Sequence, residues 1–107
     1  MKLFAVIRTR GDAFNDSLSL EEQRDWDAHA AFMNGLQSEG FIVLGGPLED
    51  TPDVLLIACA GSPQEVAARL QDDPWTIQDL LRISRISPWT LRLGSLAGSV
   101  PSKLPRS

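Results

Sequence analysis

Residues 41–60, "FIVLGGPLEDTPDVLLIACA", constrain the fold of this chain most, because two apolar runs flank a short polar stretch. The runs cover residues 41–48 and 54–60, and residues 49–53 between them are typical of a turn. Two branched, apolar runs joined in this way predict a β-hairpin. Residues 41–44 and 54–60 are apolar at nearly every position, which indicates strands that are buried on both faces.

Secondary structure can also be predicted on either side of the hairpin. "KLFAVIRT" predicts a first strand at residues 2–9. Ser19 and Glu22 have the spacing of a capping box, so a helix is expected at about 20–39, ending before Gly40. Ser62 and Pro63 predict the start of a second helix that reaches about residue 72.

The last part of the chain is expected to be irregular first and then extended. Pro74 disfavours helix at the preceding residue, so residues 72–80 are expected to be irregular. Residues 81–93 predict a final strand, in which Pro88 marks a bend or a sheet edge. Residues 97–107 are small, polar and proline-bearing, which predicts a disordered tail after a single domain at residues 1–96.

The resulting order, β-α-β-β-α-β, predicts an α+β fold of the ferredoxin-like type. Such a fold has one antiparallel sheet with two helices on one face. The other face would then expose the apolar side chains of the two central strands. A second copy of the chain is the simplest cover for that face, so we expect a homodimer with its sheets packed together.

Composition excludes several classes of function. The chain has 107 residues and a net charge of −4, and its isoelectric point of about 4.8 argues against a nucleic-acid-binding surface. A single cysteine excludes an intrachain disulfide. No run approaches the roughly 20 apolar residues of a membrane span. These features predict a cytoplasmic protein with no membrane partner.

The chain has one histidine, His29, in "RDWDAHAAFMNGL". On a helix it would lie near the middle of an apolar stripe formed by Trp26, Met33 and Leu36. It is therefore either a buried histidine bonded to a backbone carbonyl or to Asp25 one turn earlier, or a general acid/base. There is no CxxC, HExxH or second histidine, so no metal site is expected.

Other polar or reactive positions each allow two interpretations. Asp73 is a turn residue or part of a site, and Cys59 is a small apolar side chain or a reactive thiol. Gly45, Gly46 and Pro47 end a strand or let a ligand approach the backbone. The arginines near strand ends are solvated or bind an anionic ligand; they are Arg8, Arg10, Arg82 and Arg85.

Three short motifs in order, "DAHAAFM", "LGGPL" and "DDPW", resemble the YCII-related family over about residues 1–93. The resemblance implies a ferredoxin-like fold that dimerises as an α/β barrel. It also implies a cleft built around a histidine and an aspartate, which are His29 and Asp73 here. A relative in this family eliminates HCl from a chlorinated aromatic ring. The family's tyrosine-type aromatic after Asp-Pro is replaced here by Trp75.

With this resemblance, we expect a cofactor-independent lyase or isomerase in which His29 moves a proton on a small molecule. Asp73 would orient the imidazole and stabilise its protonated form. The expected substrate-binding residues are Gly46, Pro47, Trp75 and Trp26. Two alternatives stay open: a non-catalytic dimeric module that binds a small ligand, and a haem- or oxygen-handling protein with His29 as an axial ligand.

Overall fold

The computed structural model describes residues 1–95, so the predicted tail at 97–107 lies outside the described residues. A 3-10 turn, Leu20–Glu22, precedes the first helix. The helices are α1 (Trp26–Ser38), α2 (Pro63–Gln71) and α3 (Pro74–Ile77). The strands are β1 (Lys2–Arg10), β2 (Ile42–Pro47), β3 (Asp53–Ala60) and β4 (Leu81–Trp89). Within the described residues, no helix is long and apolar enough to cross a membrane.

The four strands form one antiparallel sheet in the order β2-β3-β1-β4. Strands β2 and β3 are the predicted hairpin, and β1 lies between β3 and β4. This strand order confirms the predicted ferredoxin-like α+β fold. Pro88 lies in β4, at an edge of the sheet. Proline has no N–H, and at an edge this does not break a hydrogen bond between interior strands.

Alternation along β1 divides the sheet into two faces. Phe4, Val6 and Arg8 are buried, whereas the intervening positions are only partly buried. Phe4 and Val6 pack in one cluster with Leu36 of α1 and with α2, so this is the helix-covered face. Arg8 continues the same buried row toward the end of β1 that lies near α3.

The opposite face of the sheet carries a second apolar row. By the strand register, Leu3, Ala5 and Ile7 of β1 lie beside Cys59, Ile57 and Leu55 of β3. On β2, Leu44 pairs with Ile57 and is 53% exposed. We call these seven residues the uncovered face.

The first helix begins later than predicted, because residues 20–39 do not form one continuous helix. Ser19 N–H does donate to the Glu22 carboxylate at 2.9 Å, as in a capping box, but the turn that follows is a single 3-10 turn. Asp25 then adopts a left-handed conformation, with φ 57°, which interrupts the helical path. The buried Gln23 amide donates to the carbonyls of the preceding loop, including Asn15 at 2.7 Å.

Residues 74–77 were predicted to be irregular and are instead helix α3. Pro74 does restrict Asp73 to an extended conformation, but Pro74 itself occupies the first turn of the helix, where a missing N–H costs nothing. The Asp73 carboxylate accepts a hydrogen bond from Trp75 N–H at 2.9 Å and so caps this helix. The last strand was also predicted too long, since β4 ends at Trp89.

Candidate functional site

A cavity of about 430 Å³ lies between α1, the edge strand β2 and the start of α3. This volume is within the range of small-molecule sites. Most of its wall is apolar, and four polar side chains also line it: Arg8, His29, Asn34 and Gln37. All four of the predicted substrate-binding residues are in the lining: Trp26, Gly46, Pro47 and Trp75.

The structure brings His29 and Asp73 into direct contact at this cavity. His29 Nδ1 lies 2.9 Å from both carboxylate oxygens of Asp73. His29 is on the first turns of α1, and Asp73 is the N-cap of α3. The Asp73 side chain is fully buried, whereas His29 lines the cavity. Their catalytic role stays a prediction, but the geometry that it requires is present.

The alternative pairing of His29 with the Asp25 carboxylate is not formed. Asp25 accepts a hydrogen bond from the side-chain amide of Gln78. Its backbone carbonyl accepts from His29 N–H at 3.0 Å, which is an ordinary helical bond. Asp25 therefore supports the start of α1 rather than the histidine ring.

Asp73 is surrounded by donors. Arg8 Nη1 donates to Oδ2 at 2.9 Å, and Trp75 N–H donates to Oδ1 at 2.9 Å. Burial, the largest single influence, raises the pKa of the Asp73 carboxyl. The hydrogen bonds from His29 and from Trp75 N–H, together with the positive charge of Arg8, outweigh burial and hold the pKa below its usual range. Asp73 is thus an anion near neutral pH.

The ionised carboxylate fixes the tautomer of the histidine. A carboxylate can only accept hydrogen bonds, so the nitrogen that faces it, His29 Nδ1, carries the proton. In a neutral imidazole, Nε2 then has the free lone pair. Because Nδ1 is occupied by Asp73, Nε2 is the ring nitrogen left to meet a ligand in the cavity.

Trp75 holds the imidazole in position from one side. The His29 and Trp75 rings are stacked, with centroids 3.9 Å apart and planes 4° from parallel. The Trp75 indole N–H donates to the Arg24 carbonyl at 2.6 Å, which fixes the indole in turn. Trp26 lies 5.9 Å from the imidazole and 5.8 Å from Trp75, so the two tryptophans and the histidine form one aromatic cluster.

The glycines of β2 differ in what they do. A Cβ on Gly45 would lie 2.7 Å from Leu56 Cδ2, so the Leu56 side chain would have to shift to admit one. A Cβ on Gly46 would have no atom within 4 Å, so packing does not require glycine at this position. Gly46 and Pro47 thus form an open part of the cavity wall.

Arg8 is the site residue that sequence reasoning missed. It was one of several arginines interpreted as solvated or as ligands for an anion, yet its side chain is only 1% exposed. Its guanidinium binds Asp73 through Nη1 and donates to Thr76 Oγ1 through Nη2 at 2.7 Å. The available signal was its position, since Arg8 follows Phe4 and Val6 at a spacing of two along one strand face.

Two other candidates fall outside the site. Cys59 lies on the uncovered face and is not part of the cavity lining. Arg82 binds Asp79, whose side chain is 42% exposed, and the exposed Asp12. Among residues 1–95, no group of three or more histidine, cysteine, aspartate and glutamate side chains is arranged to hold a metal ion.

Comparison with known proteins supports the fold. No family model matches the chain, and no curated protein matches it. A solved structure that is similar is 5-chloro-2-hydroxyhydroquinone dehydrochlorinase from Burkholderia phenoliruptrix AC1100, in complex with 2,5-dihydroxybenzoquinone. The two chains are 25% identical with a TM-score of 0.58, over 86% of this chain and 95% of the dehydrochlorinase. This chain thus has a structural neighbour that is a lyase and binds a small ring.

Proposed function

We propose that this chain is a YCII-related small-molecule enzyme of the lyase or isomerase type, with His29 and Asp73 as its general acid/base pair. The observation that carries the proposal is the contact of His29 Nδ1 with both Asp73 oxygens at 2.9 Å, beside a cavity of about 430 Å³. A histidine whose second nitrogen faces a ligand site, and whose first is held by a buried carboxylate, is well arranged for proton transfer.

In the proposed reaction, His29 Nε2 accepts a proton from a bound molecule. The O–H or C–H bond of the ligand breaks, a bond to Nε2 forms, and the electron pair stays on the ligand. In an elimination, that pair expels an anionic leaving group such as chloride; in an isomerisation, the proton returns at another atom. Asp73 stabilises the imidazolium throughout, and neither route changes the overall oxidation state.

The expected substrate is a small planar ring. Trp26 and Trp75 provide aromatic surface in the cavity, and Met33 adds adaptable apolar surface. The dehydrochlorinase that this chain resembles is in complex with a dihydroxybenzoquinone, which is such a ring. Gly46 and Pro47 would lie along one edge of the ligand.

We also propose that the protein is a cytoplasmic homodimer. The uncovered face has no helix packed on it, and Leu44 there is 53% exposed. Packing two such faces together would remove apolar surface from water and give the α/β barrel that the family resemblance implies. The single cysteine is consistent with a reducing compartment.

A non-catalytic ligand-binding module is the second candidate. Two ionisable side chains line the cavity within residues 1–95, Arg8 and His29, and Arg8 is paired with Asp73. His29 therefore has no second acid or base beside it in the cavity, which favours simple binding. The two candidates differ in whether a bound ring is converted.

The test uses 2,5-dihydroxybenzoquinone as a ligand and 5-chloro-2-hydroxyhydroquinone as a substrate. We expect the wild-type protein to be stabilised by the quinone in a thermal-shift assay and to release chloride from the chlorinated ring. His29→Gln should remain folded and release no chloride. Asp27→Asn, an exposed change two positions away on α1, is the matched control and should behave as wild type.

Each other outcome has a defined meaning. Quinone binding by the wild-type protein without chloride release or proton exchange on the ring would favour the binding module. Chloride release that is unchanged in His29→Gln would rule out His29 as the base. If neither ring stabilises the protein, the proposed substrate class is wrong.

A further inference from the structure

The cavity is larger than a single aromatic ring requires. Its volume is about 430 Å³. An apolar cavity of about 150 Å³ is enough to enclose a benzene ring. The ring proposed above would therefore fill only a part of the cavity, and the rest of the volume is available to a further part of the same molecule.

The cavity is also elongated along α1. Its lining residues on this helix run from Trp26 to Gln37, which spans about 16 Å of helix axis. On the facing strand, all six residues of β2, Ile42–Pro47, line it over about 16 Å as well. Only residues 39–41 separate α1 from β2, so the chain reverses there, and Ile42 lies at the same end of the cavity as Gln37.

The two ends of the cavity carry different side chains. At the end near the start of α1, His29 and the two tryptophans form the aromatic cluster, where the proposed function places the ring. Toward the other end, Asn34 and Gln37 line the cavity. They are three positions apart on α1, so their side chains are neighbours on the helix surface and can bind one ligand group together.

The side-chain amides of Asn34 and Gln37 are available to a ligand. Neither has a hydrogen-bond partner within the part of the chain that the structure describes, and both residues are exposed. Each amide offers N–H donors and a carbonyl acceptor. A ligand group that also donates and accepts, such as a hydroxyl or a primary amide, can therefore take the place of water at both side chains.

The end of the cavity with the two amides carries no charged side chain among residues 1–95. The ionisable side chains in the lining are Arg8 and His29, and both are bonded to Asp73 at the other end. Just past α1, Glu39 pairs with Arg69, and neither of them lines the cavity. A carboxylate placed beside the amides would thus lose water without gaining a cation, whereas an uncharged polar group would not incur this cost.

We infer that Asn34 and Gln37 form a second subsite of the cavity, which binds an uncharged polar arm of the substrate. The inference rests on the proposed function, because the arm extends from the ring that is placed beside His29. It narrows the substrate class to an aromatic ring whose arm ends in a hydroxyl or an amide. The arm lies across the ring from the group that faces His29. Asn34 and Gln37 contact the arm and so determine specificity, while the chemical step takes place at His29.

Three probes that differ only in the end of the arm test this subsite: para-hydroxyphenylpropanamide, para-hydroxyphenylpropanoate and para-isopentylphenol. In the last of these, two methyl groups replace the amide oxygen and nitrogen, so the shape of the arm is kept. None of the three has a leaving group on the ring, so isothermal titration calorimetry measures binding without elimination. We expect the wild-type protein to bind the amide probe more tightly than the carboxylate probe.

Variants of Gln37 then separate the arm from the ring. Gln37→Met removes the donor and the acceptor, so the amide probe should bind about two- to tenfold more weakly, while para-isopentylphenol should bind at least as well as before. Gln37→Lys supplies a cation and should improve binding of the carboxylate probe about two- to fivefold. Gln71→Met is the matched control, an exposed glutamine in the last turn of α2 outside the cavity lining, and should change none of the affinities.

The outcomes distinguish this inference from the proposed function. Equal changes for the amide probe and para-isopentylphenol in Gln37→Met would overturn the subsite, as would a carboxylate probe that gains nothing in Gln37→Lys. If the dihydroxybenzoquinone stabilises the wild-type protein but none of the three probes binds, the subsite alone is overturned. If neither the quinone nor any probe binds, the proposed ring site fails and the subsite fails with it. Gln37 is exposed, so its variants should fold, which circular dichroism can verify.

Discussion

Asp73→Asn should destabilise the fold, because it leaves the buried positive charge of Arg8 without a negative partner. The substitution keeps the size of the side chain, and asparagine also caps helices, so the start of α3 retains its hydrogen bond to Trp75 N–H. The negative charge is lost, however. Arg8, 1% exposed, would then be a buried cation with amide and hydroxyl partners only.

The magnitude follows from the burial of the pair. Breaking a buried ion pair by removing one partner costs about 3–5 kcal/mol, because the remaining charge is uncompensated. Single domains have unfolding free energies of about 5–15 kcal/mol, so this loss is a large part of the total. At about 4 °C or more per kcal/mol for a domain of this size, we expect Tm to fall by at least ~12 °C.

The assay is urea unfolding followed by far-ultraviolet circular dichroism, with Asp79→Asn as the matched control. Asp79 also accepts from an arginine, Arg82, which lowers its pKa to about 2, but its side chain is 42% exposed. Its φ of 62° is one that asparagine tolerates. We expect Asp79→Asn to unfold close to wild type. Equal effects of the two substitutions, or a loss below about 1 kcal/mol for Asp73→Asn, would refute the argument from buried charge.

Three further predictions concern acid, packing and assembly. Folding lowers the pKa of Asp73, so the ionised carboxylate stabilises the fold above the usual carboxyl pKa, and this stabilisation is lost as the pH falls through the lower pKa of the folded state. Urea unfolding measured from pH 5 downward should show the loss of stability. The stability of Asp73→Asn should depend less on pH. Trp75→Phe removes the indole N–H that donates to the Arg24 carbonyl and should lower the free energy of unfolding by about 1–3 kcal/mol in the same assay. An unchanged urea midpoint would mean that a water molecule replaces the indole as donor to this carbonyl. Ile7→Arg on the uncovered face should give monomers in sedimentation, whereas a monomeric wild-type protein at micromolar concentration would remove the proposed dimer.

The strand order was predictable from sequence because each strand has local signals. The hairpin of β2 and β3 has its own turn residues, and α2 has the Ser62–Pro63 start, with the Ser62 hydroxyl accepting Glu65 N–H. The start of α1 was not predictable in this way. Helical spacing continues through residues 20–25, and the break depends on the buried Gln23 and the left-handed Asp25, which respond to tertiary contacts.

The site was only partly predictable, for a related reason. His29 and Asp73 are 44 positions apart, and no local pattern joins them; the family resemblance suggested the pair. Pro74 was taken as a helix breaker, although with a capping aspartate before it the same proline begins a helix. Arg8 was missed because a lone arginine in a strand is usually solvated, and its buried position depends on the Asp73 that lies 65 positions later.

The stacking of Trp75 on His29 also gives the site an optical signal. An imidazolium in contact with an indole accepts an electron from its excited state and quenches its fluorescence, whereas a neutral imidazole does so far less. With ring centroids 3.9 Å apart, the emission of Trp75 should therefore drop as His29 takes up a proton. Trp26 belongs to the same cluster and contributes to the signal, whereas Trp89 lies on the edge strand, away from the cavity lining, and its emission provides a nearly constant background. Proton uptake by His29 can thus be followed in stopped-flow fluorescence without a label, while a ligand enters and reacts.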